Sequence, residues 1–140
     1  GLTAQAGDLI LMTGELGTGK TTMTQGIAEG LGVAERPRSP TFVMATEYMG
    51  RIPLYHIDLY RVEQAPELNE LGVDEYVSGQ GVTIIEWADR VPEIFVSECL
   101  WVSLDAINEE TRNITLVANA SRYLPYIESL RGKTLRSEAD

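Results

Sequence analysis

Short apolar runs alternate along the chain with segments whose apolar residues recur at helical spacing. Residues 9–12 are continuously apolar, and residues 82–85 carry only β-branched side chains. Runs of this kind predict strands that are buried on both faces. Residues 20–31 instead place an apolar side chain at every fourth position, which predicts an amphipathic helix that Gly32 ends.

The rest of the pattern predicts further strands and helices. Segments rich in β-forming residues predict two antiparallel hairpins, at residues 41–48 with 52–60 and at residues 100–106 with 113–117. Helical patterns cover residues 63–77, bent at Gly72, and 121–130, whereas residues 88–98 predict a mixed connector and 131–140 a polar tail. These elements predict one α/β domain over residues 1–140, with helices on both faces of a mixed parallel and antiparallel sheet.

The loop after the first strand carries the motif G-x-x-x-x-G-K-[ST]. Its glycines let backbone N–H groups turn around a phosphate, Lys20 can reach the β- and γ-phosphates, and the Thr21 hydroxyl can bind Mg²⁺. The helix that follows favours an anion at its N-terminus. We therefore predict a three-layer P-loop NTPase-like fold, with nucleotide-binding residues Glu15, Leu16, Gly17, Thr18, Gly19, Lys20, Thr21 and Thr22.

Two carboxylates follow apolar strands and are candidates for Mg²⁺-dependent hydrolysis, which needs acids near the ion. Glu86 closes the run at residues 82–85 and is our first choice for a Mg²⁺-associated acid, either as a direct ligand or through water. Asp58 follows a second strand, at residues 55–57. For Asp58 the residues leave open a plain alternative, a surface acid that caps a turn or forms an ion pair.

A loop rich in proline and arginine is predicted at residues 34–40. Thr41 follows it, where a hydroxyl could sense a γ-phosphate or Mg²⁺ as switch segments do. An ordinary strand start is an equally good interpretation of Thr41 from the residues alone. Arg36 and Arg38 could neutralise phosphate charge, contact a partner or simply be solvated.

Aromatic and cationic residues near the acids carry weaker signals. Trp87 could pack over a nucleotide or a partner, although a buried anchor is the default for a tryptophan. His56 is the only histidine, which excludes a multi-histidine metal site. A structural histidine with one hydrogen-bonded ring nitrogen is favoured over a general base. Arg90 could pair with a phosphate or with a neighbouring acid.

Charge and composition narrow the partners and the compartment. The chain has 21 acidic against 11 basic residues and a formal net charge of −10, which argues against free-standing nucleic-acid binding, so any RNA would be held by a partner. The single cysteine, Cys99, cannot form an internal disulfide and suits a reducing cytosol. Without an export leader or an apolar stretch of about 18 residues, a cytoplasmic protein with no membrane contact is expected.

Five ordered blocks of this sequence resemble the TsaE family, formerly YjeE, the small P-loop ATPases of bacterial tRNA threonylcarbamoyladenosine synthesis. The blocks are the phosphate loop at residues 14–22, Ser39-Pro40-Thr41-Phe42, residues 56–61, residues 67–72 and Ile85-Glu86-Trp87. Five blocks in order are far more specific than any one of them.

The resemblance implies a weak intrinsic ATPase that uses ATP and Mg²⁺. It would act with TsaB and TsaD where a threonylcarbamoyl group is placed on adenosine 37 of tRNA, and it would meet tRNA only through that complex. The family's nucleotide lies at the contact with TsaD, and hydrolysis resets the complex. Residue by residue, the resemblance implies phosphate and Mg²⁺ binding by Lys20 and Thr21, a switch threonine at Thr41, functional acids at Asp58 and Glu86, and Trp87 close to the nucleotide.

Two loop positions depart from the family pattern, with Glu15 where Asp is usual and Thr18 where Ala is usual. The family also places a strand and a helix before the loop, and most of that segment is missing from this sequence. We therefore expect an exposed sheet edge, with a risk of strand pairing between chains.

Other nucleotide-binding classes fit less well. A GTPase would carry a guanine-reading Asn/Thr-Lys-x-Asp motif, which does not occur here, and this narrows the nucleotide to ATP. A small-molecule P-loop kinase would usually supply a lid with several arginines, whereas the basic residues here are few and scattered. A nucleotide-dependent assembly factor that binds ATP without essential turnover stays open beside the ATPase.

Overall fold

A computed structural model describes residues 1–39, 45–91 and 98–131, and six strands within these ranges form one sheet. The strands are β1 (Leu9–Thr13), β2 (Ala45–Met49), β3 (Pro53–Asp58), β4 (Val82–Glu86), β5 (Leu100–Ala106) and β6 (Arg112–Ala118). The helices are α1 (Lys20–Gly30), α2 (Pro66–Leu71), α3 (Val73–Val77) and α4 (Leu124–Leu130), with 3₁₀ turns at Ala88–Arg90 and Ser121–Tyr123. Within the described ranges, no helix combines the length and the apolar character that crossing a membrane requires.

The sheet has parallel strands at its centre and antiparallel strands at its edges. Its order is β2-β3-β4-β1-β5-β6. Strand β1 pairs in parallel with β4 and β5, and β3 pairs in parallel with β4. The two antiparallel pairs, β2 with β3 and β5 with β6, are the predicted hairpins. The mixed sheet is confirmed, and the carboxyl ends of β1, β3 and β4 lie side by side at one edge.

Apolar side chains fill a layer on each face of the sheet, because successive residues of a strand point to opposite faces. Ile10 of β1 joins the layer that holds Ala28 of α1 and Tyr126 of α4. Leu11 joins the opposite layer, which holds buried residues of α2 and α3, among them Leu68. Full burial of a side chain such as Leu11 contributes about 2 kcal/mol. Helices cover both faces, so the predicted three-layer architecture is confirmed.

The predicted bend at Gly72 separates α2 from α3. Gly72 has a φ of +70°, a left-handed conformation that ends a helix at little cost only for glycine. Helix α2 begins at Pro66, later than the predicted residue 63. Proline is favoured in the first turn of a helix because its missing N–H would have no partner there.

Several predicted features fall partly outside the described residues. These include Thr41 with the start of the first hairpin, most of the connector after Pro92 and the polar tail after Arg131. At the edges of the described sheet lie β2 and β6, and β6 exposes Ile114 and Val117. The risk of strand pairing between chains stays a prediction.

A buried carboxylate, Asp8, links the residues just before β1 to the C-terminal helix. Its Oδ2 accepts hydrogen bonds from the Tyr126 hydroxyl at 2.5 Å and the Gln5 N–H at 2.9 Å, and its Oδ1 lies 2.7 Å from Arg122 Nη2. Asp8 is only 3% exposed, so these donors replace the water that it loses. Burial, and then the bond to Asp8, raise the pKa of Tyr126, which keeps its hydroxyl protonated as a donor.

Replacing Tyr126 with Phe should lower the free energy of unfolding by about 1–3 kcal/mol, because buried Asp8 loses one of its donors while the ring still packs. Urea denaturation followed by circular dichroism measures this loss. As a control, Tyr60→Phe changes a side chain that is 47% exposed and should alter stability by less than about 0.5 kcal/mol. Equal stability of Tyr126→Phe and the unmodified protein would show that this link does not support the fold.

Candidate active site

The phosphate-loop motif lies at the carboxyl end of β1 and leads directly into α1. Gly14 has a φ of +148° and Gly19 a φ of +105°, conformations that glycine adopts without Cβ strain. A Cβ on Gly14 would also lie 2.6 Å from the Leu104 carbonyl oxygen and 2.7 Å from Thr18 Oγ1. The path of the loop therefore requires glycine at its start, and the dipole of α1 favours an anion at its end.

Lys20 folds its ammonium group into the loop and is only 5% exposed. Its Nζ donates to the carbonyl oxygens of Gly14 at 2.6 Å and Glu15 at 2.9 Å, and lies 4.0 Å from the centre of the Trp87 ring. Burial lowers the pKa of Lys20, although the nearby charge of Glu86 opposes this shift. A phosphate would compete with the two carbonyls for this ammonium group.

Glu86, at the end of β4, is 1% exposed and is surrounded by donors. The Thr21 hydroxyl lies 3.0 Å from its Oε1 and 3.3 Å from its Oε2, and the Thr24 hydroxyl lies 3.5 Å from Oε2. The ring nitrogen Nε2 of His56 also contacts Oε2. One ring nitrogen of His56 is thus engaged, which agrees with the structural role expected from the sequence.

Asp58 pairs in register with Glu86 across β3 and β4, which brings the two predicted acids to the same edge. Its Oδ1 accepts the Tyr60 N–H at 2.8 Å, and its Oδ2 accepts the Ser39 hydroxyl at 3.3 Å. Burial and the charge of Glu86 raise the pKa of Asp58, while the Tyr60 N–H works against them. Asp58 is 8% exposed and is therefore not a surface acid, but its bond to the Tyr60 N–H caps the turn after β3, as the plain alternative expected.

Ser39 lies between Asp58 and the Thr21 hydroxyl that binds Glu86. The Ser39 hydroxyl is 3.1 Å from Thr21 Oγ1 and donates to Asp58. The sequence placed the switch role two positions later, at Thr41, which lies outside the described residues, so that role stays a prediction. The sequence marks Ser39 only as part of a block, because a serine before a proline is common in loops.

Trp87 turns the chain from β4 into the 3₁₀ turn at Ala88–Arg90. Its φ is +60°, and within the described ranges it is the only non-glycine residue whose φ is positive. Such a conformation costs about 1–2 kcal/mol. The Trp87 ring lies 4.9 Å from that of Tyr60, and the Arg90 guanidinium lies 5.4 Å from the Tyr60 ring. Arg90 therefore packs on aromatic rings, a contact that the sequence did not suggest.

Most of the predicted nucleotide-binding residues line a cleft of about 220 Å³. All the predicted nucleotide-binding residues line it except Glu15 and Thr18, and Ser39 and Glu86 join them. The Thr18 hydroxyl instead donates to the Glu15 carbonyl at 2.9 Å and so stabilises the loop itself. Leu16 lines this cleft and is 78% exposed.

Arg112, at the start of β6, is a site residue that the sequence did not reveal. Its Nε donates to the Thr18 carbonyl at 3.0 Å and its Nη2 to the Gly17 carbonyl at 3.3 Å. It also lines a second cleft of about 600 Å³ beside the loop. No local signal marks Arg112, because 94 positions separate it from the loop residue that it holds.

The residues around Thr21 suit a Mg²⁺ ion that also binds water and phosphate better than a metal ion held by protein side chains alone. The described part of the chain has no group of three or more His, Cys, Asp or Glu side chains that could hold a metal. At phosphate loops Mg²⁺ takes few protein ligands, since water and phosphate oxygens supply the rest. The Thr21 hydroxyl gives its hydrogen to Glu86, so its oxygen can offer a lone pair to a cation.

Comparison with known proteins decides the family. The profile described as Threonylcarbamoyl adenosine biosynthesis protein TsaE matches residues 1–114. The chain belongs to the TsaE family. The TsaE protein of Bacillus subtilis strain 168 is 44% identical over 128 residues, which cover 91% of this chain and 80% of the relative. The TsaE protein of Treponema pallidum is 37% identical over 112 residues, which cover 80% of this chain and 83% of the relative.

A solved TsaE-like structure agrees with this assignment. The crystal structure of YdiB from Bacillus subtilis matches with a TM-score of 0.75 and 40% identity, covering 92% of this chain and 82% of that one. The resemblance seen in five short blocks is confirmed. The profile match also continues past the last of those blocks to residue 114, so the TsaE similarity includes Arg112 at the start of β6.

Replacing Asp58 with Asn should raise the free energy of unfolding near neutral pH, because a buried charge beside Glu86 is removed. The folded state holds the Asp58 proton more tightly than the unfolded chain. The stabilisation that comes from this tighter proton binding is therefore fully present below 3.8, the pKa of the group in the unfolded chain. It is lost as the pH rises through the higher pKa of Asp58 in the folded state.

Urea denaturation at roughly pH 4 and pH 7 tests this expectation, and the gain of Asp58→Asn should shrink at the lower pH. Asp105→Asn, at an exposed position of β5, is the matched control and should change little. If Asp58→Asn is less stable than the unmodified protein at neutral pH, the hydrogen bonds of Asp58 outweigh its charge and the prediction is wrong.

Proposed function

We propose that this chain binds ATP with Mg²⁺ and hydrolyses it slowly in support of threonylcarbamoylation of adenosine 37 in tRNA, together with TsaB and TsaD. The tRNA pathway is supported by family membership and by the names of the relatives, tRNA threonylcarbamoyladenosine biosynthesis protein TsaE. The two partners are supported by the sequence blocks. The net charge of −10 favours access to tRNA through those partners rather than by direct phosphate contacts.

The observation that carries the nucleotide proposal is the Thr21–Glu86 hydrogen bond beside Lys20. It joins the first turn of α1 to the end of β4 at 3.0 Å, at the point where the glycine loop and the helix dipole favour a phosphate. An anion-binding loop, a hydroxyl that can offer a lone pair and a buried carboxylate are the parts that Mg²⁺-dependent phosphoryl transfer needs.

Each residue then has a distinct task. The loop amides and Lys20 bind the β- and γ-phosphates, and Thr21 with Glu86 would hold Mg²⁺, which neutralises phosphate charge when bound. Asp58 and Ser39, which contact each other beside Thr21, can orient a water molecule. Trp87 covers the ammonium of Lys20 and keeps bulk water from that side of the loop.

The arrangement of Glu86 also favours slow turnover. Both of its oxygens already accept hydrogen bonds, from Thr21 and His56, so a water molecule that donates to either oxygen must share it with these donors. This geometry supports the second candidate function, an assembly factor that binds ATP without essential hydrolysis.

Replacing Lys20 with Ala should weaken ATP·Mg²⁺ binding by about a hundredfold or more, because a buried charge-assisted contact to phosphate is lost. Isothermal titration calorimetry measures the affinity, and a thermal melt verifies that the variant folds. Arg131→Ala, at an exposed position after α4, is the control and should bind normally. Unchanged affinity in Lys20→Ala would rule out the phosphate-loop proposal.

Replacing Glu86 with Gln separates the two candidate functions. The variant should bind ATP within about tenfold of the unmodified protein and lose hydrolysis by about a hundredfold, since a neutral amide cannot act as the acid near Mg²⁺. It is then added to TsaB, TsaD, tRNA, ATP and the threonylcarbamoyl donor, and modified tRNA is quantified by mass spectrometry.

The reconstitution has three informative outcomes. Loss of modification with Glu86→Gln supports an ATPase whose turnover is needed. Full modification with the variant supports the assembly factor. If leaving the chain out altogether changes nothing, the proposed role in tRNA modification is wrong.

A further inference from the structure

His56 is a fully buried polar side chain in an otherwise apolar part of the sheet. It lies on β3 opposite Ile84 of β4, and neither residue is measurably exposed. On the same face, Leu54 and Ile84 belong to the apolar layer beneath α1. A leucine at this position would suit that layer, so packing does not explain the choice of a histidine.

The two ring nitrogens of His56 differ sharply in their surroundings. Nε2 contacts Glu86 Oε2, whereas Nδ1 is buried and has no hydrogen-bond partner among the described residues. Nε2 is thus the ring nitrogen with a described partner, and that partner is a buried carboxylate, which indicates that the contact with Glu86 is the reason for the histidine.

The two carboxylate oxygens of Glu86 have different neighbours. Oε2 meets His56 and lies 3.5 Å from the Thr24 hydroxyl, while Oε1 is the closer oxygen to Thr21, at 3.0 Å. A carboxylate offers only lone pairs, so we assign the shared hydrogen to Nε2 from the hydrogen-bond pattern. With Oε2 held, rotation of the carboxylate is blocked and Oε1 stays directed at Thr21.

We propose that His56 is a positioning residue that holds Glu86 in the orientation needed at the Mg²⁺ side of the site. This inference rests on the proposed ATP·Mg²⁺ function. His56 touches neither nucleotide nor metal and acts only through Glu86, in the way that outer hydrogen-bond partners orient metal-binding side chains. The residues that bind phosphate, including Lys20, have no described contact with His56.

Two substitutions separate the role of Nε2 from that of the ring as a whole. His56→Gln keeps an N–H group the same number of bonds from Cβ as Nε2. His56→Asn keeps one only as far as Nδ1, which has no described partner. Both variants are neutral and smaller than histidine, so a general loss of packing should affect them in similar ways.

The experiment measures metal and nucleotide binding separately on the full chain. Mn²⁺ replaces Mg²⁺ in the presence of ADP, and the loss of its free-ion electron paramagnetic resonance signal reports metal affinity. ADP affinity is measured by calorimetry with the metal chelated, and thermal melts verify folding. His56→Asn should weaken Mn²⁺ binding by about 10–100-fold, and His56→Gln should stay within about threefold of the unmodified protein. Metal-free ADP affinity should be unchanged in both.

The alternative outcomes are distinct. Equal Mn²⁺ affinity in the two variants, whether both are normal or both are weakened, would overturn the positioning role. A parallel fall in metal-free ADP affinity would do the same, because it would show that His56 supports the loop as a whole. If the unmodified chain binds neither ADP nor Mn²⁺ with ADP, the ATP·Mg²⁺ proposal itself fails and this inference fails with it.

Discussion

Burial of the Glu86 carboxylate is the constraint on which the rest of the site depends. A charged group that is 1% exposed must find donors within the fold, because an unpaired buried charge costs more than the net stability of a small domain allows. The donors are Thr21 on α1 and His56 on β3. The Thr24 hydroxyl, on the same face of α1 as Thr21, lies 3.5 Å from Glu86 Oε2. Satisfying this single group ties α1 to the sheet, and so places the phosphate loop that precedes α1.

Asp58 adds a second acid to the same edge at some cost in stability. Parallel pairing of β3 with β4 sets Asp58 opposite Glu86, so their charges repel. The Tyr60 N–H and the Ser39 hydroxyl offset only part of this effect, since the pKa of Asp58 remains raised. Glu86 is held by donors, Asp58 ionises less readily than usual, and Trp87 adopts a left-handed conformation. Such a combination is typical of a site where function has outweighed stability.

The second half of the chain completes the site from the other side. Strand β5 pairs with β1 and brings the Leu104 carbonyl against Gly14, and the hairpin to β6 places Arg112 on the loop carbonyls. The glycine at the start of the loop is therefore needed for two reasons, its backbone conformation and the close approach of β5. The phosphate loop is supported from both of its flanks, by α1 with β4 and by the β5–β6 hairpin.

By itself, the sequence determined the fold class, the two hairpins, the bend at Gly72, the phosphate loop and the two strand-end acids. Each is a local signal, carried by apolar periodicity or by glycines within a few residues. Only the tertiary structure decided that His56 and Thr24 meet Glu86, that Ser39 bridges Thr21 and Asp58, and that Arg112 and Tyr126 reach partners about a hundred positions away. These contacts depend on which strands become neighbours, and strand order follows from burying all the apolar faces together rather than from any one segment.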